Sequence, residues 1–481
     1  MTTGAQHILV GRDAVVVSDV TGDTAVTATG STTARMLKDR FGDFVNVKDF
    51  GAVGDGITND NAAVQAAITA CADGGCVLFP PGTYLVTSIS VTGKALTLLG
   101  FGATLTTSSA NGALAKTDHN KKLTVFGMRF AGTGGGIKWV TTTSTTQYDE
   151  FEITSCRFDN TGVGVYLDGV REGRITSCAF TSCSTGIYRV RTVNTDVVAC
   201  CWKDCGYGIN DDGDTSVYSA GLKVFGGTML GCTYGVRSVN TDWTVLSGMM
   251  IDFCDYPVQY LGVDEGNISD CYITTRSVNP VLYIGSNAGE DPKNIMVMRN
   301  GIISNKDDVT SDCVVIRNLQ QGLFHGNRIS FWWRYGVDFA NCVDLYFIEN
   351  NISPDVTSTA PTKYSLYESA DGDNSNKAKL NVLDAPPSVI WAVLDQNRGV
   401  LVANGGEGIS GIGVTSFTVA HGLDYTPAKY DIWLTPTNAA AATAQPFISA
   451  VDATNITIGF VTATGAAAGV AWRVKKRDSD W

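Results

Sequence analysis

Apolar positions between residues 151 and 209 recur in three similar turns, FEITSCRFDNTGVGVYL, GRITSCAFTSCSTGIYRV and TDVVACCWKDCGYGIN. Phe158, Phe180 and Trp202 stand 22 residues apart, and Val165, Ile187 and Ile209 repeat in phase with them. Within each turn short runs alternate apolar and polar, the pattern of strands with one buried face. A period in the low twenties built from such strands predicts a solenoid, in which each repeat buries its inner face only against its neighbours. Similar turns run from LTLLGFGATLT, beginning at Leu96, to LYFIENNI, ending at Ile352. The apolar anchors Trp202, Met229, Met250, Ile273, Ile302, Ile329 and Ile352 step by 27, 21, 23, 29, 27 and 23 residues. The excess over 22 is expected in loops, which in repeat folds gather on one binding face.

The flanking segments read differently. Residues 1–43 are polar and rich in Thr and Gly, an attachment arm with a short amphipathic helix expected at Thr33–Phe41. In residues 44–95, Asp60 precedes Ala63, Val64, Ala67 and Ile68 at helical spacing. This predicts a helix of roughly ten residues capped by Asp60, ended by Gly74-Gly75 and covering the open end of the solenoid. Strands are expected at Val77–Phe79 and from Tyr84, around a Pro80-Pro81-Gly82 turn. Residues 96–360 are assigned to the solenoid, and 361–385, where Pro, Asp, Ser and Asn accumulate, to a linker. Residues 386–481 alternate again between turns and read as a small β-sandwich.

Composition narrows the function classes. A net charge of −12 and a pI near 4.8 lack the clustered positive surface that nucleic acid requires. No apolar run is long enough to span a membrane, and the N-terminus lacks a basic start followed by an apolar block. The thirteen cysteines show no zinc-type spacing, so neither a metal nor a cofactor is expected. Cys156, Cys178, Cys200 and later Cys271 fall at one phase of the repeat; Cys183, Cys205, Cys232 and Cys254 fall at another. Stacked inside a narrow coil, such thiols are small apolar filler. Cys71 and Cys76 could pair, although CADGGC also reads as a turn. The Cys156 column ends in Asn300, Asn327 and Asn350, a residue that tolerates the left-handed region and can hydrogen-bond its stacked copy.

The stretch NVKDFGAVGDGITNDNAAVQAAI…VLFPPGTY resembles the opening motif of the pectate-lyase-like superfamily, in the form found in phage tailspike and tail-fibre depolymerases. The preceding STTARMLKDRFGDF is similar to the neck of phage tailspikes, so the likeness covers residues 31–86. The resemblance implies a right-handed parallel β-helix and a homotrimeric virion protein. Such a protein binds phage tail or baseplate through its N-terminus and cleaves polysaccharide at the host surface. The Asn column resembles that superfamily's asparagine ladder, and TVAHGLDYTP resembles a C-terminal module of phage tail proteins.

Glycoside hydrolysis needs two carboxyl groups about 5–5.5 Å apart for retention or 6.5–9.5 Å for inversion. With coils stacked about 4.8 Å apart, these are one and two rungs. If Val165, Ile187 and Ile209 point inward, Tyr166, Tyr188 and Asn210 point outward and continue as Arg237 and Gln259. Asp168 and Asp212 then lie two rungs apart, roughly 9.6 Å. Asp211, Asp212 and Asp214 crowd like charges, which is expected to raise one pKa. Asp242, Asp264 and Glu265 follow in equivalent loops. The expected catalytic acids are Asp168, Asp212, Asp214 and Asp242. Tyr166, Tyr188, Asn210, Arg237, Trp243, Asp264 and Glu265 are expected to bind substrate. All of these carboxylates also suit ordinary solvated turns. Trp139, Trp243, Trp332 and Trp333 are candidate sugar platforms or packing residues, with one of the adjacent pair expected at the surface. A lyase would need a base with Arg or Lys against a uronate carboxylate, for which Tyr166, Tyr188, Arg171, Arg189 and Arg191 lie on the right side. GxSxG and P-loop motifs are absent, and His7, His119, His325 and His421 do not cluster. The readings that remain are a glycosidase-type depolymerase, a lyase and a non-catalytic receptor-binding fibre.

Overall fold

The computed structural model describes residues 23–141, 149–213, 219–304, 311–332 and 334–353, with further strands near the N-terminus and between 364 and 474. Three strands make one turn. In the turn that starts at Phe151 they are Phe151–Thr154, Arg157–Asp159 and Val163–Asp168, one on each of three faces. Each pairs in parallel with its counterpart one turn later, in Arg171–Thr176, Ala179–Thr181 and Thr185–Val190. The third face grows to 12 strands. The first two faces form one continuous 27-stranded sheet, because Val193–Lys203 and Ser219–Leu230 cross their shared corner unbroken. The result is a parallel β-solenoid.

Strand alternation puts every second residue inside. The rings of Phe130, Phe158, Phe180 and Trp202 stack at 5.0, 4.8 and 5.5 Å with nearly parallel planes. Below Trp202 the column runs through Met229, Ile251, Ile273, Ile302, Ile329 and Ile352. The anchor expected at Met250 is therefore its neighbour Ile251, and Met250 faces solvent. The stacked thiols of both columns, a ladder of Cys156, Cys178, Cys200 and Cys271 and one of Cys183, Cys205, Cys232 and Cys254, are free and buried.

The corner between the first and second faces is turned by a left-handed residue on rung after rung, including Ser155, Ser177, Ala199, Asp270, Arg299 and Glu349. Asn300, Asn327 and Asn350 each follow such a position rather than occupying it. Their role is hydrogen bonding: Asn327 Oδ1 accepts from the backbone N–H and the amide of Asn300, both at 3.0 Å. Asn350 Oδ1 does the same for Asn327 at 3.0 and 2.9 Å. Buried backbone donors are thus satisfied where the chain leaves the sheet.

The helix Asn61–Ala70 buries Val64, Ala67 and Ile68 against the first rungs. Asp60 stands at its N-cap but makes no capping bond. Its carboxylate instead accepts from the backbone N–H groups of Val53 and Gly54, at 2.7 and 3.1 Å. It holds the preceding turn, a job visible only once the turn is folded. In the arm the helix is shorter than expected, Leu37–Phe41, because Ala34–Met36 pairs as a strand with Ala25–Thr27. Near the C-terminus, two three-stranded antiparallel sheets contribute Ile432, Val470 and Trp472, and Ile456, Ile458 and Phe460, to one separate apolar cluster.

Candidate active site on the corner between third and first faces

Register places Tyr166, Tyr188, Asn210, Arg237 and Gln259 in a single column on the third face. Lys138 lies 5.4 Å from the centre of the Tyr166 ring, which meets Tyr188 edge-on at 5.1 Å. Tyr188 donates to Asp212 at 3.4 Å, and Arg237 donates to Asn210 at 3.1 Å. Burial, then Asp168, pushes the Tyr166 phenol up. Burial, then Asp212, pushes Tyr188 up to about 12. Both phenols therefore hold their protons at neutral pH.

Asp168 and Asp212 sit two rungs apart, with Val190 between them. Asp168 is only 8% exposed, and Arg191 donates to its Oδ1 from Nε at 2.8 Å and from Nη2 at 2.5 Å. Asp211 points inward rather than joining a surface cluster. Arg189, also inside, donates to it from Nη1 at 2.5 Å, and neither side chain reaches solvent. Burial, opposed by Arg189, brings the Asp211 carboxyl up to about 6; crowding by Asp212 is a lesser cause. Asp214 lies outside the described residues. The Arg189 guanidinium also donates to Thr195 Oγ1 at 3.1 Å and to the carbonyls of Thr192 and Ala220, each at 3.0 Å. Ala220 pairs with Asp242 on the next rung, so this inner ion pair braces the corner that carries the remaining acids.

On that corner the backbones of Asp242 and Asp264, and of Asp264 and Lys293, pair as isolated parallel β-bridges, one rung at a time. Burial, then Asp264 and Glu265, pushes the Asp242 carboxyl up. Asn294 donates to Asp264 Oδ1 at 3.1 Å. Trp243 and Glu265 follow their aspartates in the left-handed region, at φ 54° and 56°. The Trp243 indole is 53% exposed and donates to Glu265. The same left-handed position recurs upstream at Glu150, Glu172, Asn194 and Gly221, so one backbone position runs as a strip along the corner, polar from Glu150 to Asn194.

Upstream the strip opens into a cleft of about 300 Å³ on the first face, walled by Glu150, Glu152, Glu172, Arg174, Asn194 and Asp196, with Lys122 and Lys223 at its ends. Lys122 pairs with Glu152 at 3.3 Å, while Arg174 and Lys223 both pair with Asp196, at 3.2 and 3.8 Å. Glu172 accepts from the Asn194 amide at 2.7 Å. Sequence reasoning passed over this cleft. Its signal was the outward column Glu152, Arg174, Asp196 and Lys223, which follows from the same period as the aromatic column.

Trp139 and Trp332 pack inside the fold and are not platforms. Trp139 is buried, donates to the Asp118 carbonyl at 3.1 Å and lies beneath Lys116. Trp332 is wholly buried, and Trp333 falls outside the described residues. Among the described residues, no His, Cys, Asp or Glu group is arranged to hold a metal ion, and no helix is long and apolar enough to cross a membrane.

Residues 44–147 match the family described as rhamnogalacturonase A/epimerase, pectate lyase-like. Over 59 residues, 11% of the chain and 8% of the relative, the sequence is 54% identical to plasmin and fibronectin-binding protein A of Streptococcus pneumoniae. Over 45 residues it is 58% identical to mannuronan C5-epimerase AlgE6 of Azotobacter vinelandii, covering 9% of the chain and 5% of the relative. The chain thus spans less than a tenth of either relative. In structure it is similar to a mutant tailspike protein of E. coli bacteriophage HK620 in complex with a pentasaccharide. That likeness has a TM-score of 0.53 and 12% identity, and covers 95% of this chain and 98% of the tailspike, a resemblance of fold.

Proposed function

We propose that this β-solenoid, with its pectate-lyase-like opening domain, is a phage tailspike depolymerase that binds and hydrolyses a bacterial surface polysaccharide along the third-to-first corner. The observation that carries the reading is the backbone pairing that stacks Asp242 on Asp264, with the Asp242 carboxyl pushed up by burial and then by Asp264. A carboxyl pushed up by burial and set beside a second carboxylate is what acid-assisted glycoside cleavage requires. One rung is about 4.8 Å, close to the roughly 5–5.5 Å of a retaining pair.

In this scheme Asp242 protonates the leaving oxygen while Asp264, oriented by Asn294, faces the anomeric carbon. Trp243, steadied by Glu265, offers an apolar ring face to a pyranose. Asp168 is neutralised by Arg191 and orders the corner, and Asp212 tethers Tyr188. The column of Tyr166, Tyr188, Asn210 and Arg237 then contacts the polymer beside the acids. Lyase chemistry has weaker support: Arg189 is sealed in the core, Arg191 is engaged, and both tyrosines keep their protons. The tailspike likeness and the resemblance over residues 31–86 support a trimer carried on the virion tail through the N-terminal arm, acting at the host surface.

The test is purified protein spotted on lawns of candidate hosts. A halo is expected with the native protein and not with Asp242→Asn, and the released fragments should carry new reducing ends without unsaturated uronates. A halo that survives both Asp242→Asn and Asp264→Asn would remove the acid pair. Failure to clear any lawn that the protein binds would favour a receptor-binding fibre.

A further inference from the structure

The cleft upstream of the acids carries information about the sugar. Resting on the reading above, we infer that the first-face cleft is a second saccharide-holding site on the same strip. It takes sugars rich in hydrogen-bond donors, hydroxyl, amide or ammonium, and disfavours uronates. The cleft shares its rungs with the left-handed positions that lead to Trp243, so a polymer lying over the acids extends into it. Glu172 is one rung from Asn194, and the stretch from Glu172 to Glu265 covers four rungs, roughly 19 Å.

The charge bookkeeping of the walls decides the ligand class. Lys122 pairs with Glu152, while Arg174 and Lys223 share Asp196, so four wall carboxylates face three bases. Glu150 and Glu172 have no cationic partner among the described residues, and the Glu172 contact is an uncharged amide. The walls therefore carry one carboxylate more than bases, with Glu150 and Glu172 as the acceptors left open. Hydroxyl, amide and ammonium groups are donors to such acceptors, and a charged acceptor makes the stronger bonds. Within the cleft a uronate carboxylate would arrive acceptor against acceptor, because the one guanidinium there, Arg174, is held by Asp196. Lys293 is the base next to the acids, beside Asp264. A negative polymer would meet repulsion from the open carboxylates of the cleft, on a chain whose net charge is already −12.

The experiment uses the full chain carrying Asp242→Asn, so that binding is read without cleavage. Retardation in affinity gels is measured with four defined hexamers immobilised: N-acetylglucosamine, glucosamine, galacturonate and mannuronate. At least one of the first pair is expected to bind about tenfold or more tighter than either uronate. Adding Glu150→Gln and Glu172→Gln is expected to remove most of that preference, since a charged hydrogen bond is typically worth about a factor of ten. The double substitution also guards against a basic oligomer merely adhering to an acidic protein. Tighter binding of a uronate, unchanged binding in the Gln variant, or binding of none of the four would overturn the inference. None of these outcomes touches the acid pair, which stands or falls on the halo and its loss in Asp242→Asn.

Discussion

Arg189 and Asp211 meet at 2.5 Å inside the solenoid, on adjacent rungs, with no exposure of either side chain. Removing one partner leaves the other charge buried and unmatched, which typically costs about 3–5 kcal/mol. Arg189→Met is therefore expected to lower the unfolding free energy by about that amount. The double variant Arg189→Met/Asp211→Leu should recover much of the loss, since matched apolar replacements of buried pairs are often neutral. Urea unfolding measures both. The pair also sets a pH dependence. The Asp211 carboxyl is raised to about 6 by burial, against an ordinary value of 3.8. A raised carboxyl holds more protons folded than unfolded between those values, so its contribution is complete below about pH 4 and is lost as pH rises through 6. The slope of stability against pH from 4 to 6 should be less negative in Asp211→Asn than in the native protein.

Gly173 stands where Phe151 of the previous rung needs space: a Cβ there would lie 2.1 Å from the Phe151 ring. Gly173→Ala is expected to destabilise by about 1–3 kcal/mol through overpacking. Phe151→Leu shortens the ring side chain, and in its presence the alanine should cost much less. A coupling near zero in the double-mutant cycle would contradict this contact.

Much of the fold was legible because inward residues repeat with the strand period. Phe158, Phe180 and Trp202 mark every rung, and the outward Tyr166 column follows by alternation. The same alternation sends Arg189 and Asp211 inward, but charge alone suggested the surface, and only the facing partner one rung away makes their burial tolerable. The corner positions were illegible for another reason. Glu172, Asn194, Gly221, Trp243 and Glu265 share a backbone conformation and not a side-chain type. Asp242 and Asp264 were found as separate loop acids, and their adjacency depends on the rung count through loops of unequal length.

Thiol chemistry checks the ladder independently. Cys201 is exposed and Cys76 partly so, while the other eleven are buried. The neighbouring thiol, then burial, pushes Cys178 and Cys183 far up, while Cys156 and Cys254, lowered by their neighbours, are shielded by burial alone. Native protein is expected to alkylate quickly at Cys201, slowly at Cys76 and at no ladder position, whereas unfolded protein modifies all thirteen. Peptide mass mapping after timed iodoacetamide treatment reads the order, and early labelling at Cys178 or Cys200 would contradict the packed interior.

Glu265 offers a way to reach Asp242 without touching the pair that breaks the bond. Its charge is among the causes that push the Asp242 carboxyl up, after burial and Asp264. A general acid must be protonated to act, so activity is expected to decline as pH rises through the Asp242 value. Glu265→Gln removes that charge and keeps an oxygen to accept from the Trp243 indole. The Asp242 carboxyl then ionises at lower pH, and the alkaline limb of the kcat/KM profile should move toward acid, while activity at low pH stays close to native. A limb that does not move means that Asp242 is not the acid, or that Glu265 does not influence it. Asp242→Asn separates the two, because it abolishes the limb together with the activity only if Asp242 is the proton donor.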